Sequence, residues 1–120
     1  MVVDDNPTNL KLASDVLESA GFEVVKAADA EEALAVIQQR KPALILMDIA
    51  LPGMDGLTLT RKLKADESTR DIRIVALTAF AMKGDDQKAF EAGCDGYIAK
   101  PIDTRRLPSQ VASFLYPSSA

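Results

Sequence analysis

The chain has 120 residues, a formal net charge of −4, one cysteine and no histidine. That length can bury one core without staples, the lone Cys94 rules out an internal disulfide, and the missing imidazoles exclude histidine catalysis and His-ligated metals. The acidic balance offers no footprint for nucleic-acid phosphates. With no apolar run near the roughly 20 residues of a membrane span and no basic segment leading into an apolar one, one cytoplasmic domain over residues 1–120 is expected.

Apolar runs and helical patterns then alternate along the chain. Met1-Val2-Val3 reads as a strand, a short one because only three residues precede Asp4. Asn6 and Pro7 supply an N-cap and a first-turn proline for a helix ending at Gly21, and Leu10, Ala13, Leu17 and Ala20 give it one buried stripe. Phe22 to Ala27 reads as a second strand. Asp29 and Glu32 form a capping-box pair for a helix to about Arg40, with Leu34 and Ile37 facing inward and Pro42 beyond its end.

Ala43-Leu44-Ile45-Leu46-Met47 is apolar enough for a strand buried on both faces, which makes Asp48 the first residue able to meet solvent at the sheet edge. A Pro/Gly loop over Leu51 to Gly56 leads into a helix from about Gly56 to Ala65, and Ile72 to Thr78 reads as a fourth strand. A helix around Asp85 to Ala92 closes at Gly93, and Gly96 to Lys100 is a fifth strand. Asp103 caps a last helix to about Leu115, in which Pro108 predicts an irregular beginning or a start near Pro108 itself.

Five alternations of strand and helix predict an α/β fold, a doubly wound parallel sheet with helices on both faces. Ligands of such sheets gather beyond the carboxyl ends of the strands. Those ends carry Asp4 and Asp5, Asp48, Thr78 and Lys100. Clustered carboxylates repel by roughly 4 kcal/mol per pair 4 Å apart at an effective dielectric of 20, so they call for a cation, and Mg²⁺ suits oxygen-only ligands completed by waters and a phosphate oxygen. Lys100 would then add a point charge and Thr78 a hydroxyl donor toward that phosphate. Asp48, central where Asp4 and Asp5 are adjacent, is the candidate nucleophile for an acyl phosphate.

Val2-Val3-Asp4-Asp5-Asn6, Leu46-Met47-Asp48-Ile49 with Leu51-Pro52-Gly53-Met54-Asp55-Gly56, Val75-Ala76-Leu77-Thr78-Ala79 and Gly96-Tyr97-Ile98-Ala99-Lys100-Pro101 resemble, in order and spacing, the receiver domain of two-component response regulators. Thr78-Ala79-Phe80-Ala81-Met82-Lys83-Gly84-Asp85 is similar to the DivK type of stand-alone receiver and to receivers fused to hybrid histidine kinases. The resemblance implies a flavodoxin-like sheet of order 2-1-3-4-5 flanked by five helices. It also implies a phosphorelay switch in which Asp48 accepts the phosphoryl group of a partner phosphohistidine, on a histidine kinase or a histidine phosphotransfer protein.

Carried over, the family pattern gives Mg²⁺ or Mn²⁺ to Asp5, Asp48 and the Ala50 backbone carbonyl, with Asp4 acting through water. It makes Thr78 and Tyr97 the switch pair, Lys100 the phosphoryl contact and the bond before Pro101 cis. Its output surface is formed by the fourth helix, fifth strand and fifth helix, here with Tyr97, Arg105, Arg106 and Pro108, and it would bind a downstream protein without nucleic-acid or membrane contact. Ala50 and Phe80, two residues beyond Asp48 and Thr78, offer no acid or amide to orient water, so slow self-hydrolysis is expected of a switch that is not a dedicated enzyme.

Other readings weigh less. An aspartate-dependent phosphatase would set its nucleophile and acid two residues apart, whereas Asp4 and Asp5 are adjacent. A binding module indifferent to phosphate stays open on the residues alone, and neither a dinucleotide fingerprint nor a P-loop is present.

Overall fold

The computed structural model describes residues 1–48, 56–78, 90–99 and 102–115. Five strands, β1 (Val2–Val3), β2 (Lys26–Ala27), β3 (Leu44–Asp48), β4 (Arg73–Thr78) and β5 (Gly96–Ala99), form one sheet of order β2-β1-β3-β4-β5 in which every pairing is parallel. Around it lie α1 (Pro7–Ser19), α2 (Ala30–Gln39), α3 (Gly56–Ala65) and a last helix, Leu107–Leu115, while residues 90–92 are helical and lead into Gly93. The rest of the helix expected around Asp85, and the loop from Leu51, fall outside the described residues.

The period-two alternation of the strands sorts the core into two layers. Val3, Ile45, Met47, Ile74 and Ala76 face α2 and α3, where they meet Ala33, Ile37, Leu59 and Leu63. Val2, Leu44, Leu46, Val75, Leu77 and Ile98 face the other way, onto Ala13 and Leu17 of α1 and Leu107 and Val111 of the last helix. All five residues of β3 are buried, and each large apolar side chain among them contributes about 1.5 to 3 kcal/mol.

Helix starts follow from local chemistry. The Asn6 side chain accepts from the Thr8 and Asn9 amides at 2.9 and 3.3 Å, and Pro7 stands in the first turn, where a missing N–H costs nothing. Asp29 accepts from the Glu32 amide at 2.8 Å. The last helix begins at Leu107, after a turn in which Asp103 accepts from the Arg105 amide at 3.0 Å. Pro108 therefore falls in the first turn and displaces no helical hydrogen bond.

Two expectations need correction. Ala20 is exposed, because the helix stops at Ser19 and the chain turns away through Gly21 at φ 96°; Ser14 takes the buried place instead, its hydroxyl donating to the Leu10 carbonyl at 2.6 Å. The second strand is Lys26–Ala27 rather than Phe22 to Ala27, since an edge strand can pair only as far as its neighbour, and β1 offers only Val2 and Val3.

A polar clamp unsignalled by sequence ties α3 to β4 and β5. The Lys64 ammonium donates to the carbonyls of Arg70 and Ile72, at 3.2 and 2.8 Å, and to Asp95 Oδ2 at 3.0 Å, which also accepts from the Ile74 amide at 2.8 Å. Gly93 makes room for it: φ is 107°, and a Cβ there would lie 2.9 Å from Lys64 Cγ. Gly93→Ala meets backbone strain and a stem that three hydrogen bonds hold in place, so a loss of about 2 to 3 kcal/mol is expected in denaturant titration.

Candidate functional site

The carboxyl edge of the sheet gathers the acidic residues. Asp4 leaves β1 with its amide donating to the Ala27 carbonyl at 3.1 Å, and its Oδ1 accepts from the Asn6 amide at 2.9 Å. Leaving the strand and entering α1 within four residues forces Asp4 and Asp5 together at this edge. Asp48 ends β3, in register with Leu77 of β4.

Asp4, Asp5 and Asp48 each place a carboxylate oxygen within 4.8 Å of the others. Asp4 and Asp48 are only 1% and 4% exposed, so Asp48 stays buried at the strand end where the apolar run predicted its first meeting with solvent, whereas Asp5 faces solvent. Two buried acids and one open to water make a pocket that a small hydrated ion can enter. Three formal negative charges at such separations cost roughly 3 to 4 kcal/mol per pair at an effective dielectric of 20. The beginning of α1 lies just beyond Asn6, and its positive dipole end offsets part of that.

The donor set is oxygen only and hard, without thiolate or imidazole, which fits a divalent cation of the Mg²⁺ type and disfavours softer metals. The acidic pocket is thus consistent with divalent metal binding. Of the other expected site residues, Thr78 ends β4 beside Ala99 of β5, one residue beyond the rung that pairs Leu77 with Asp48, so its backbone reaches the same edge. Lys100, Pro101 and Ala50 lie outside the described residues, as does Phe80.

Tyr97 of β5 stands opposite Ala76. Its side chain is 40% exposed and meets Phe90 edge to face, ring centroids 6.2 Å apart at 82°, a geometry favoured by aromatic quadrupoles. Phe90 is half exposed as well, and no strand or charge pattern marks it out in the sequence. Arg105 and Arg106 are exposed in the turn before the last helix, and Pro108 is partly buried. Cys94 is buried; desolvation pushes its thiol pKa up and its sulfur lies 3.8 Å from the Thr60 hydroxyl, which fits packing rather than reactivity.

No helix among the described residues is long and apolar enough to cross a membrane. Comparison with known proteins gives a consistent picture. The polar-differentiation response regulator DivK of Brucella anthropi is 44% identical over 115 residues, which span 96% of this chain and 94% of that protein. Among solved structures, a proposed response regulator from Chloroflexus aurantiacus superimposes with a TM-score of 0.90 at 37% identity, covering 95% of this chain and 93% of the other. The receiver domain of NtrX from Brucella abortus does so with 0.88 at 31% identity, covering 98% of both. The response regulator receiver domain pattern matches residues 1–112, and with the parallel order β2-β1-β3-β4-β5 and the acidic edge this chain belongs to the receiver domain family of two-component response regulators.

Proposed function

We propose that the chain is one receiver domain over residues 1–120 that works as a phosphorylation switch, with Asp48 as the phosphoryl acceptor. The observation that carries this reading is the convergence of Asp4, Asp5 and Asp48 within 4.8 Å, with Asp48 buried at the end of β3, all five of whose residues are buried. An Asp48 oxygen attacks the phosphorus of a phosphohistidine on a histidine kinase or phosphotransfer protein. The P–O bond forms as the P–N bond breaks, and the electron pair leaves with the imidazole nitrogen.

Asp5, Asp48 and the Ala50 carbonyl would hold Mg²⁺, or Mn²⁺, with Asp4 acting through water; the ion supplies charge neutralisation for the phosphoryl oxygens. Lys100 contributes the second positive charge and Thr78 a hydroxyl. In this reading the Tyr97 ring leaves its edge contact with Phe90 and turns inward as Thr78 engages the phosphoryl group. The surface around Tyr97, Arg105, Arg106 and Pro108 then changes shape for a downstream protein.

The chain transfers and slowly loses its own phosphoryl group without turning over an external substrate. Incubation with acetyl phosphate and Mg²⁺ should add one acid-labile phosphoryl group to the intact mass, and chelation should prevent it. With Ala50 and Phe80 unable to position water, the label should persist for minutes or longer after the donor is removed. Loss within seconds would refute that slow hydrolysis, and no incorporation from any donor would refute the switch itself.

A further inference from the structure

The clamp at Lys64 is one end of a longer polar seam. Gly56, Thr60 and Lys64 stand four residues apart, which sets them in one line along α3. The entry to β5 lies against that line: Lys64 meets Gly93 and Asp95, and Thr60 meets Cys94. Leu59 and Leu63 beside it belong to the apolar core, and Thr60 is fully buried. A hydroxyl therefore stands where packing alone calls for a methyl group.

That hydroxyl donates to the Gly56 carbonyl at 2.7 Å and accepts from the Cys94 thiol, whose sulfur is 3.8 Å away. The thiol is a weak donor, but by taking a lone pair of the hydroxyl it leaves the proton aimed at Gly56. A bond from a hydroxyl to the carbonyl four residues back is neutral to slightly unfavourable for a helix, so helix stability does not account for this one. Its acceptor does. Gly56 is the buried first residue of α3, and glycine has the most backbone freedom of any residue. The loosest turn of the helix is thus held from inside by a side chain one turn on.

This turn has a place in the site. Residues 49–55 join the buried end of β3 to Gly56, so where α3 begins fixes where that segment must end. Through Cys94 the same turn is tied to β5, which ends at Ala99, next to Lys100.

We propose, on the reading that Asp48 is the phosphoryl acceptor and the Ala50 carbonyl a metal ligand, that Thr60 is a positioning residue: its bond to Gly56 fixes the end of segment 49–55 against β3 and β5, and with it the Ala50 carbonyl. Thr60 acts through the backbone it holds, without touching the ion or the phosphoryl group.

Thr60→Val and Thr60→Ser separate positioning from packing. Val keeps the shape and leaves the Gly56 carbonyl its helical amide partner, so that variant should be at least as stable as the parent. Ser keeps the hydroxyl but loses a buried methyl, so it should be less stable. Function should run in the opposite order. Thr60→Val should weaken Mg²⁺ binding, read by calorimetry, about tenfold, and slow incorporation from acetyl phosphate at saturating Mg²⁺ about tenfold. Thr60→Ser should stay within about twofold of the parent in both. Hydrogen exchange at the amides of residues 60 and 61, which bond back to the first turn, should be about tenfold faster in Thr60→Val and unchanged at Lys64 and Ala65.

Parent-like Mg²⁺ affinity and rate in Thr60→Val, a Thr60→Ser variant as impaired as Thr60→Val, or unchanged exchange at residues 60 and 61 would each overturn the proposal. A parent that takes no label and binds no Mg²⁺ would refute the switch instead, and the exchange result alone would then decide whether Thr60 holds this turn.

Discussion

Asp48→Asn should reduce phosphoryl incorporation from acetyl phosphate, or from a phosphorylated histidine donor, to background, while the fold is retained. The amide has nearly the same shape and keeps one carbonyl oxygen in place, so β3 remains packed between its two layers. What is lost is the nucleophile, because an uncharged amide does not attack phosphorus to give a stable acyl phosphate. Intact-mass measurement reads the result directly.

Incorporation that survives in Asp48→Asn would move the acceptor elsewhere, and Asp4 and Asp5 are then the residues to substitute next. Asp48→Glu separates charge from position. It keeps a carboxylate but displaces it by one methylene, and a misplacement of about 1 Å can cost about a hundredfold in rate. Slow but measurable incorporation is expected there.

The acidic cluster was legible because its residues follow short strands whose ends coincide in space. Once Ala43 to Met47 reads as a strand buried on both faces, Asp48 has to emerge at the edge where Asp4 and Asp5 leave β1, and the three carboxylates do meet there. Periodicity also sorted the core, since Ile45 and Met47 on one face and Leu44 and Leu46 on the other are what alternation predicts. Features that depend on partners were not legible. Phe22 to Val25 has the composition of a strand but lacks a paired neighbour, so tertiary context overrode propensity. The Lys64–Asp95 contact joins residues 31 apart in sequence, and its only local sign is the glycine at position 93. Phe90 and Tyr97 meet across the turn from residues 90–92 into β5, where neither helical nor strand periodicity links the two rings.

Asp4→Asn should make the protein more stable in chelator and less responsive to Mg²⁺. In the metal-free state, three carboxylate oxygens within 4.8 Å repel one another, and Asp4 is the most deeply buried of the three. The amide keeps an oxygen to accept from the Asn6 N–H, now made by Asp4 Oδ1 at 2.9 Å, while removing one of the three charges. A gain of about 1 to 2 kcal/mol in chelator is the expected size, since partial exposure through Asp5 and counterions screens part of the repulsion. Adding Mg²⁺ at about 100 times its dissociation constant should stabilise the parent by about 2.7 kcal/mol, or roughly 10 °C in unfolding midpoint at this chain length. The Asp4→Asn variant should gain less at the same concentration. The two curves cross as Mg²⁺ is titrated once the substitution weakens the ion's binding by more than about tenfold, with the parent weaker in chelator and stronger at high Mg²⁺. Curves that coincide in chelator and do not rise with Mg²⁺ would mean that the acidic edge neither stores repulsion nor holds the ion.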